Sequence, residues 1–194
     1  MKSQLWSAPN QLTLLRLIFV PFVIMNVMEA DYTLALALFV LAGISDGLDG
    51  LLARVLHQQT TLGQYLDPIA DKLLLSSLFL VLSFVHQIPW RYTVLVFSRD
   101  LCLVAVAATL YVTTNIRDFR PSIFGKVNTF VQVGAVFFVL LAHVYPANWV
   151  AVCRHSFLLA TFAFTLISGL HYVARTGQRL RSAQARSQSV VPHV

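Results

Sequence analysis

Four aspartates, Asp46, Asp49, Asp67 and Asp71, stand in a segment that reads S-D-G-L-D-G-L-L-A-R, then V-L-H-Q-Q-T-T-L, then G-Q-Y-L-D-P-I-A-D-K. The chain has only eight acidic residues, and half of them fall between 46 and 71. A carboxylate within hydrocarbon costs about 2.5–3.5 kcal/mol on insertion scales, so four placed together in an apolar context mark a working site. The chemistry that clustered carboxylates serve is the holding of hard divalent cations. Without cations the four would repel one another, and some would take up protons. Mg²⁺ or Mn²⁺ removes that conflict, and two ions can share bridging carboxylates as in two-metal phosphoryl-transfer sites. The competing reading pairs these aspartates with Arg16, Arg54 and Lys72 to hold helices together. Such pairing does not require the layered arrangement derived below.

The elements that must position these residues are membrane helices. Of 194 residues, 57% are hydrophobic and only 11% charged, with a mean hydropathy of +0.71. A soluble domain carries roughly 25% charge. The expected fold is all-α, an integral membrane bundle with no separate soluble domain. About 20 apolar residues cross a bilayer, which predicts six helices over 11–28, 32–56, 63–86, 91–113, 122–144 and 149–174. Arg16 and Pro21 interrupt the first apolar run, which therefore reads as a transmembrane helix and not as a signal peptide. Residues 1–175 form the membrane domain, and 176–194 a basic, disordered tail.

Charge orients the bundle. Lys2, Arg54, Lys72, Arg117, Arg120, Lys126 and the tail arginines fall on one side, and Glu29 and Asp31 on the other, where Arg91 and Arg154 are the only basic residues. The positive-inside rule makes the first side, with both termini, cytoplasmic. The net charge of +6 is thus a topology signal, and no nucleic-acid partner follows from it. Cys102 and Cys153 lie in apolar runs without metal spacing and read as packing residues.

The second and third helices form an antiparallel hairpin turning near 58–59. That register sets Asp46 level with Asp71, and Asp49 level with Asp67, to within about one residue, or ~1.5 Å. Spacings of three and four keep each pair on one face of its helix. The carboxylates therefore converge in two layers below the cytoplasmic surface. Gly47, Gly50 and Ala53 thin the helix beside them, and Arg54 is a cation at the rim suited to phosphate.

The pattern D-x-x-D-G-x-x-A-R, eight residues, G-x-x-x-D-x-x-x-D resembles the signature of the CDP-alcohol phosphatidyltransferases. It matches at Asp46, Asp49, Gly50, Ala53, Arg54, Gly63, Asp67 and Asp71. Pro9, Asn10, Thr13 and Arg16 resemble the family's P-N-x-x-T-x-x-R opening, and the resemblance covers about residues 8–175. It implies a six-helix bundle with a cytoplasm-facing polar cavity, assembled as a homodimer in a bacterial cytoplasmic or mitochondrial inner membrane. The implied reaction moves a phosphatidyl group from CDP-diacylglycerol to an alcohol and releases CMP. The resemblance assigns Asp46, Asp49 and Asp67 to metal, and Asp71 to metal and to the catalytic base. Gly50, Ala53, Arg54 and Gly63 would border the CDP moiety, with Asn10 and Thr13 at its nucleotide end.

Lys126, in F-G-K-V-N-T, reads either as a cation for the acceptor's phosphate or as a topology anchor. Arg99, in S-R-D, reads as a wall of the acceptor pocket or as half of a structural pair; neighbours on a helix point about 100° apart, so Arg99 and Asp100 need not pair with each other. Both contexts resemble phosphatidylglycerophosphate synthases and CMP-forming cardiolipin synthases, so the acceptor is glycerol-based: glycerol-3-phosphate or phosphatidylglycerol. Asn128, where glycerol-phosphate enzymes often carry a second lysine, tilts toward the cardiolipin type. Inositol phosphate or serine would use the same chemistry. A transporter that uses the aspartates as its ion site is the reading from another class, but it needs ionisable groups leading across the bilayer.

Overall fold

The computed structural model describes residues 8–55, 61–113 and 123–188, with side chains in 17–45, 47–48, 72–102 and 125–170. The described residues form six helices and no strand. They are α1 (Ala8–Met28), α2 (Tyr32–Val55), α3 (Thr61–Phe84), α4 (Trp90–Thr113), α5 (Ile123–Val144) and α6 (Asn148–Gln188). The starts and five of the ends fall within three residues of the sequence expectation. Helix α1 begins early because Pro9 sits in its first turn, where a missing N–H costs nothing.

Two helix ends share one device. Beyond α1, Asp31 N–H donates to Asn26 O at 2.9 Å and Ala30 N–H to Val27 O at 3.2 Å. Beyond α3, Gln87 N–H donates to Leu82 O at 2.7 Å and His86 N–H to Ser83 O at 3.1 Å. Both are Schellman closures, and both place a non-glycine residue, Ala30 or His86, at a φ of 60°. They reverse the chain within a few residues and so set α2 against α1 and α4 beside α3.

The segment from 176 was expected to be disordered, yet α6 runs unbroken to Gln188. Its basic composition argued for a tail, but Leu180, Ala183, Ala185 and the arginines are good helix formers, with no glycine or proline between Gly177 and Gln188. A helix already nucleated in the bundle extends through such residues without a new nucleation cost.

The core is built from helical-period stripes: Val23 and Val27 of α1, Ala35, Phe39 and Ala42 of α2, and Leu75, Leu78, Phe79 and Leu82 of α3. Val136, Val139 and Leu140 of α5 complete it. The outward faces are apolar too, with Leu101 72%, Phe130 71% and Leu170 71% exposed. Among the described residues, Gly125–Val144 and Asn148–Leu170 are long and apolar enough to cross a membrane. Shorter apolar stretches are Leu17–Met28, Tyr32–Ser45 and Lys72–Phe84.

Candidate active site

The backbone distributes the motif over three helices. Asn10 and Thr13 stand on α1; Asp46, Asp49, Gly50, Ala53 and Arg54 on α2; Gly63, Asp67 and Asp71 on α3. Their side chains lie outside the described residues. Because 46 and 49, and 67 and 71, are both on regular helix, each aspartate pair shares a face. Gly43 of α2 and Leu74 of α3 line one groove, each three residues from the aspartate of its helix, Asp46 or Asp71. Both helices thus border that groove, α2 packing on α1 and α5, and α3 on α1, α4 and α5. An all-oxygen set of carboxylates on neighbouring helices fits Mg²⁺ or Mn²⁺ in type. Among the described residues no group of three His, Cys, Asp or Glu side chains could hold a metal.

One residue beyond Asp71 the side chains can be followed. Lys72 Nζ lies 3.2 Å from Asp100 Oδ1, which ties α3 to α4. Arg99 Nη1 donates to the same oxygen at 2.7 Å, and its Nη2 donates to Ser168 Oγ of α6 at 3.0 Å. Arg99 thus pairs with its neighbour as well as with another helix, although the sequence required no bond between the two. Its side chain is long enough to fold back across the 100° between them, and Asp100 gathers both cations. A Cβ on Gly125 of α5 would lie 3.6 Å from Arg99 Nη2, so that glycine gives the guanidinium its place. Four helices thus meet around Arg99, which is only 8% exposed, at the depth of Lys72. Lys126, next to Gly125, is exposed at this same end of the bundle.

A polar seam that sequence reasoning missed continues from there. Thr165 Oγ1 donates to Asn128 Oδ1 at 2.9 Å, with both residues buried. Gln132 and Thr161 are buried one turn further along α5 and α6. Arg99 Nε, Asn128 Nδ2 and Gln132 Nε2 find no acceptor among the described residues. The spacing of Asn128 with Gln132, and of Thr161 with Thr165 and Ser168, was the available signal. It becomes informative only once α5 is known to pack on α6.

With two carboxylate-bearing helices bordering one groove and the Lys72–Asp100–Arg99 cluster one residue beyond Asp71, comparison with known proteins is decisive. Residues 6–173 match the family model described as CDP-alcohol phosphatidyltransferase. The chain belongs to that family. It is 35% identical over 181 residues to a probable phosphatidylglycerophosphate synthase of Mycobacterium tuberculosis, covering 90% of this chain and 83% of that protein. It is 32% identical over 194 residues to the human CMP-forming cardiolipin synthase, covering 91% of this chain but only 64% of that longer protein. A CDP-diacylglycerol–glycerol-3-phosphate 3-phosphatidyltransferase of Aquifex aeolicus is 31% identical over 175 residues, 87% of this chain and 95% of its own length. These family relatives act in phospholipid biosynthesis, and the matched span includes all four aspartates.

Proposed function

We propose that this chain is a membrane-embedded transferase that moves a phosphatidyl group from CDP-diacylglycerol to a glycerol-based alcohol and releases CMP. The observation that carries this reading is the unbroken motif, all eight fixed positions, within the family match over residues 6–173. The apolar outward faces of the helices support membrane embedding; in this reading the bundle has six spans, its polar cavity and both termini face the cytoplasm, and it pairs with a second copy.

In this reading Asp46, Asp49, Asp67 and Asp71 hold two Mg²⁺ or Mn²⁺ ions. The ions, when bound, neutralise the diphosphate and make CMP a better leaving group. Asp71 accepts the proton of the attacking alcohol, whose oxygen forms the new bond to phosphorus as the bond to the CMP oxygen breaks. Arg54 holds the donor's phosphates at the rim, where Gly50, Ala53 and Gly63 leave room for the nucleotide and Asn10 and Thr13 close its far end.

Arg99 and Lys126 serve the acceptor. The Arg99 guanidinium is fixed by Asp100 and Ser168, so it is preorganised and not free to swing. Lys126, exposed next to the Gly125 that borders Arg99, is the second cation. A glycerol-based acceptor suits this pair, because both candidates carry a phosphate next to free hydroxyls. Asn128 does not discriminate between them by charge, being fully buried and bonded to Thr165.

The experiment is an acceptor screen. Purified protein with CDP-diacylglycerol and Mg²⁺ or Mn²⁺ should release CMP with glycerol-3-phosphate or phosphatidylglycerol. Release only with inositol phosphate or serine would keep the chemistry and reject the glycerol-based acceptor.

A further inference from the structure

Lys72, the one basic residue of α3, directly follows Asp71. A lysine at that position endangers a metal site. Its ammonium rides on a flexible four-carbon stem, and carboxylates crowded on α2 and α3 favour any cation within reach. Side chains on a helix lean toward its N-terminus, the direction in which Asp71 and Asp67 lie from Lys72. The angle of about 100° between helix neighbours is no barrier. Arg99 covers it, reaching Asp100 at 2.7 Å.

In the structure the ammonium goes elsewhere. Lys72 Nζ meets Asp100 Oδ1 of α4 at 3.2 Å. The Lys72 side chain is 47% exposed, so it is the carboxylate that confines it and not packing. Asp100 is itself held in place. Arg99 Nη1 donates to the same Oδ1, and Arg99 Nη2 donates to Ser168 Oγ of α6 at 3.0 Å. Gly125 leaves room for that guanidinium, which is buried. Ser168, Arg99 and Asp100 thus present Lys72 with an anion already ordered on α4, and forming the pair costs only the freedom of the lysine. Arg99 alone would neutralise Asp100, so the second cation needs a reason of its own.

We propose that Asp100 is a positioning residue for the metal site: it holds the Lys72 ammonium away from the motif aspartates and so leaves them to the divalent cations. The inference rests on the reading above in which Asp46, Asp49, Asp67 and Asp71 bind Mg²⁺ or Mn²⁺. It differs from a plain helix tie in what happens when the carboxylate is lost. A tie would only loosen α3 from α4, whereas here the loss frees a cation that competes with the metal.

The test is equilibrium binding of Mn²⁺ to the purified full chain without substrates, with unbound Mn²⁺ measured by its electron paramagnetic resonance signal. Asp100→Asn keeps an oxygen to which Arg99 can donate but removes the charge that holds Lys72. It should weaken Mn²⁺ binding by about three- to fivefold, the worth of one half-exposed ion pair gained at the aspartates. Lys72→Met keeps the stem and removes the ammonium. Adding Asp100→Asn to Lys72→Met should therefore leave Mn²⁺ affinity where Lys72→Met alone has it, a non-additive pair. Asp100→Ser, whose hydroxyl oxygen can also accept from Arg99, carries the same cycle if Asp100→Asn does not fold. An equal loss of affinity with and without Lys72 would mean that the carboxylate acts through its own charge or through packing, and would overturn the proposal. Wild-type affinity in Asp100→Asn would overturn it too. The two readings fail separately. A wild type that binds no Mn²⁺ would reject the metal reading and this inference with it, whereas Mn²⁺ bound without the coupling would reject this inference alone.

Discussion

At the scale of single residues the account turns on Asp71 and Lys126. Asp71→Asn keeps the shape of the side chain but cannot take a proton. Turnover should fall at least about a hundredfold, the usual worth of a positioned base, while CDP-diacylglycerol binding changes little. Single-turnover CMP release beside equilibrium donor binding checks this, and near-normal turnover at saturating metal would reject the base assignment. Lys126→Ala separates the two acceptors. A free phosphate dianion loses a charge-assisted hydrogen bond of about 1.5–3 kcal/mol, so the KM for glycerol-3-phosphate should rise roughly ten- to a hundredfold. Phosphatidylglycerol, a monoanionic diester anchored by its tails, should lose less. An unchanged acceptor KM would make Lys126 a topology anchor. The motif aspartates were legible in the sequence because carboxylates are rare in an apolar chain and their spacing is rigid. The bond of Arg99 to Asp100 was not, because helical periodicity fixes Cβ directions and says nothing of how far a guanidinium can fold back.

At the scale of elements the two Schellman closures offer a stability test. Ala30 adopts a φ of 60°, where a side chain costs about 1–2 kcal/mol and glycine nothing. Ala30→Gly should therefore stabilise the fold, by about 1 kcal/mol once the extra entropy of an unfolded glycine is subtracted. Thermal unfolding in detergent reads this as a raised Tm, and a lowered Tm would contradict the left-handed closure. Thr165→Val removes the donor to Asn128 in the α5–α6 seam. It should destabilise by about 0.6–2 kcal/mol, the span found for hydrogen bonds between membrane helices. The six apolar runs predicted the helices because each is bounded by turn residues such as Gln87, Pro89 and Pro146. The polar seam stayed hidden because Asn128, Gln132 and Thr165 mean little until their helices are paired. The continuation of α6 to Gln188 was not legible because charge and serine content outweighed helix propensity in a segment that continues an existing helix.

At the scale of the whole molecule, the proposed six crossings, an even number, would put both ends of the chain on one side. The basic residues at Lys2, Arg54, Lys126 and along the end of α6 argue that this side is the cytoplasmic one. Reporter fusions at either end should report cytoplasmic, and an end found outside would overturn the six-span reading. In the proposed orientation the four aspartates would face soluble CMP and metal from the cytoplasmic side. The central claim is that these four carboxylates work as a two-metal transferase site. CMP release by the purified protein, from CDP-diacylglycerol and its acceptor, measures that claim directly when Mg²⁺ or Mn²⁺ is titrated against a chelator. The account predicts no release in excess chelator, full recovery when the metal is returned, and no recovery in Asp49→Asn at the same metal concentration. Undiminished CMP release in excess chelator would contradict it.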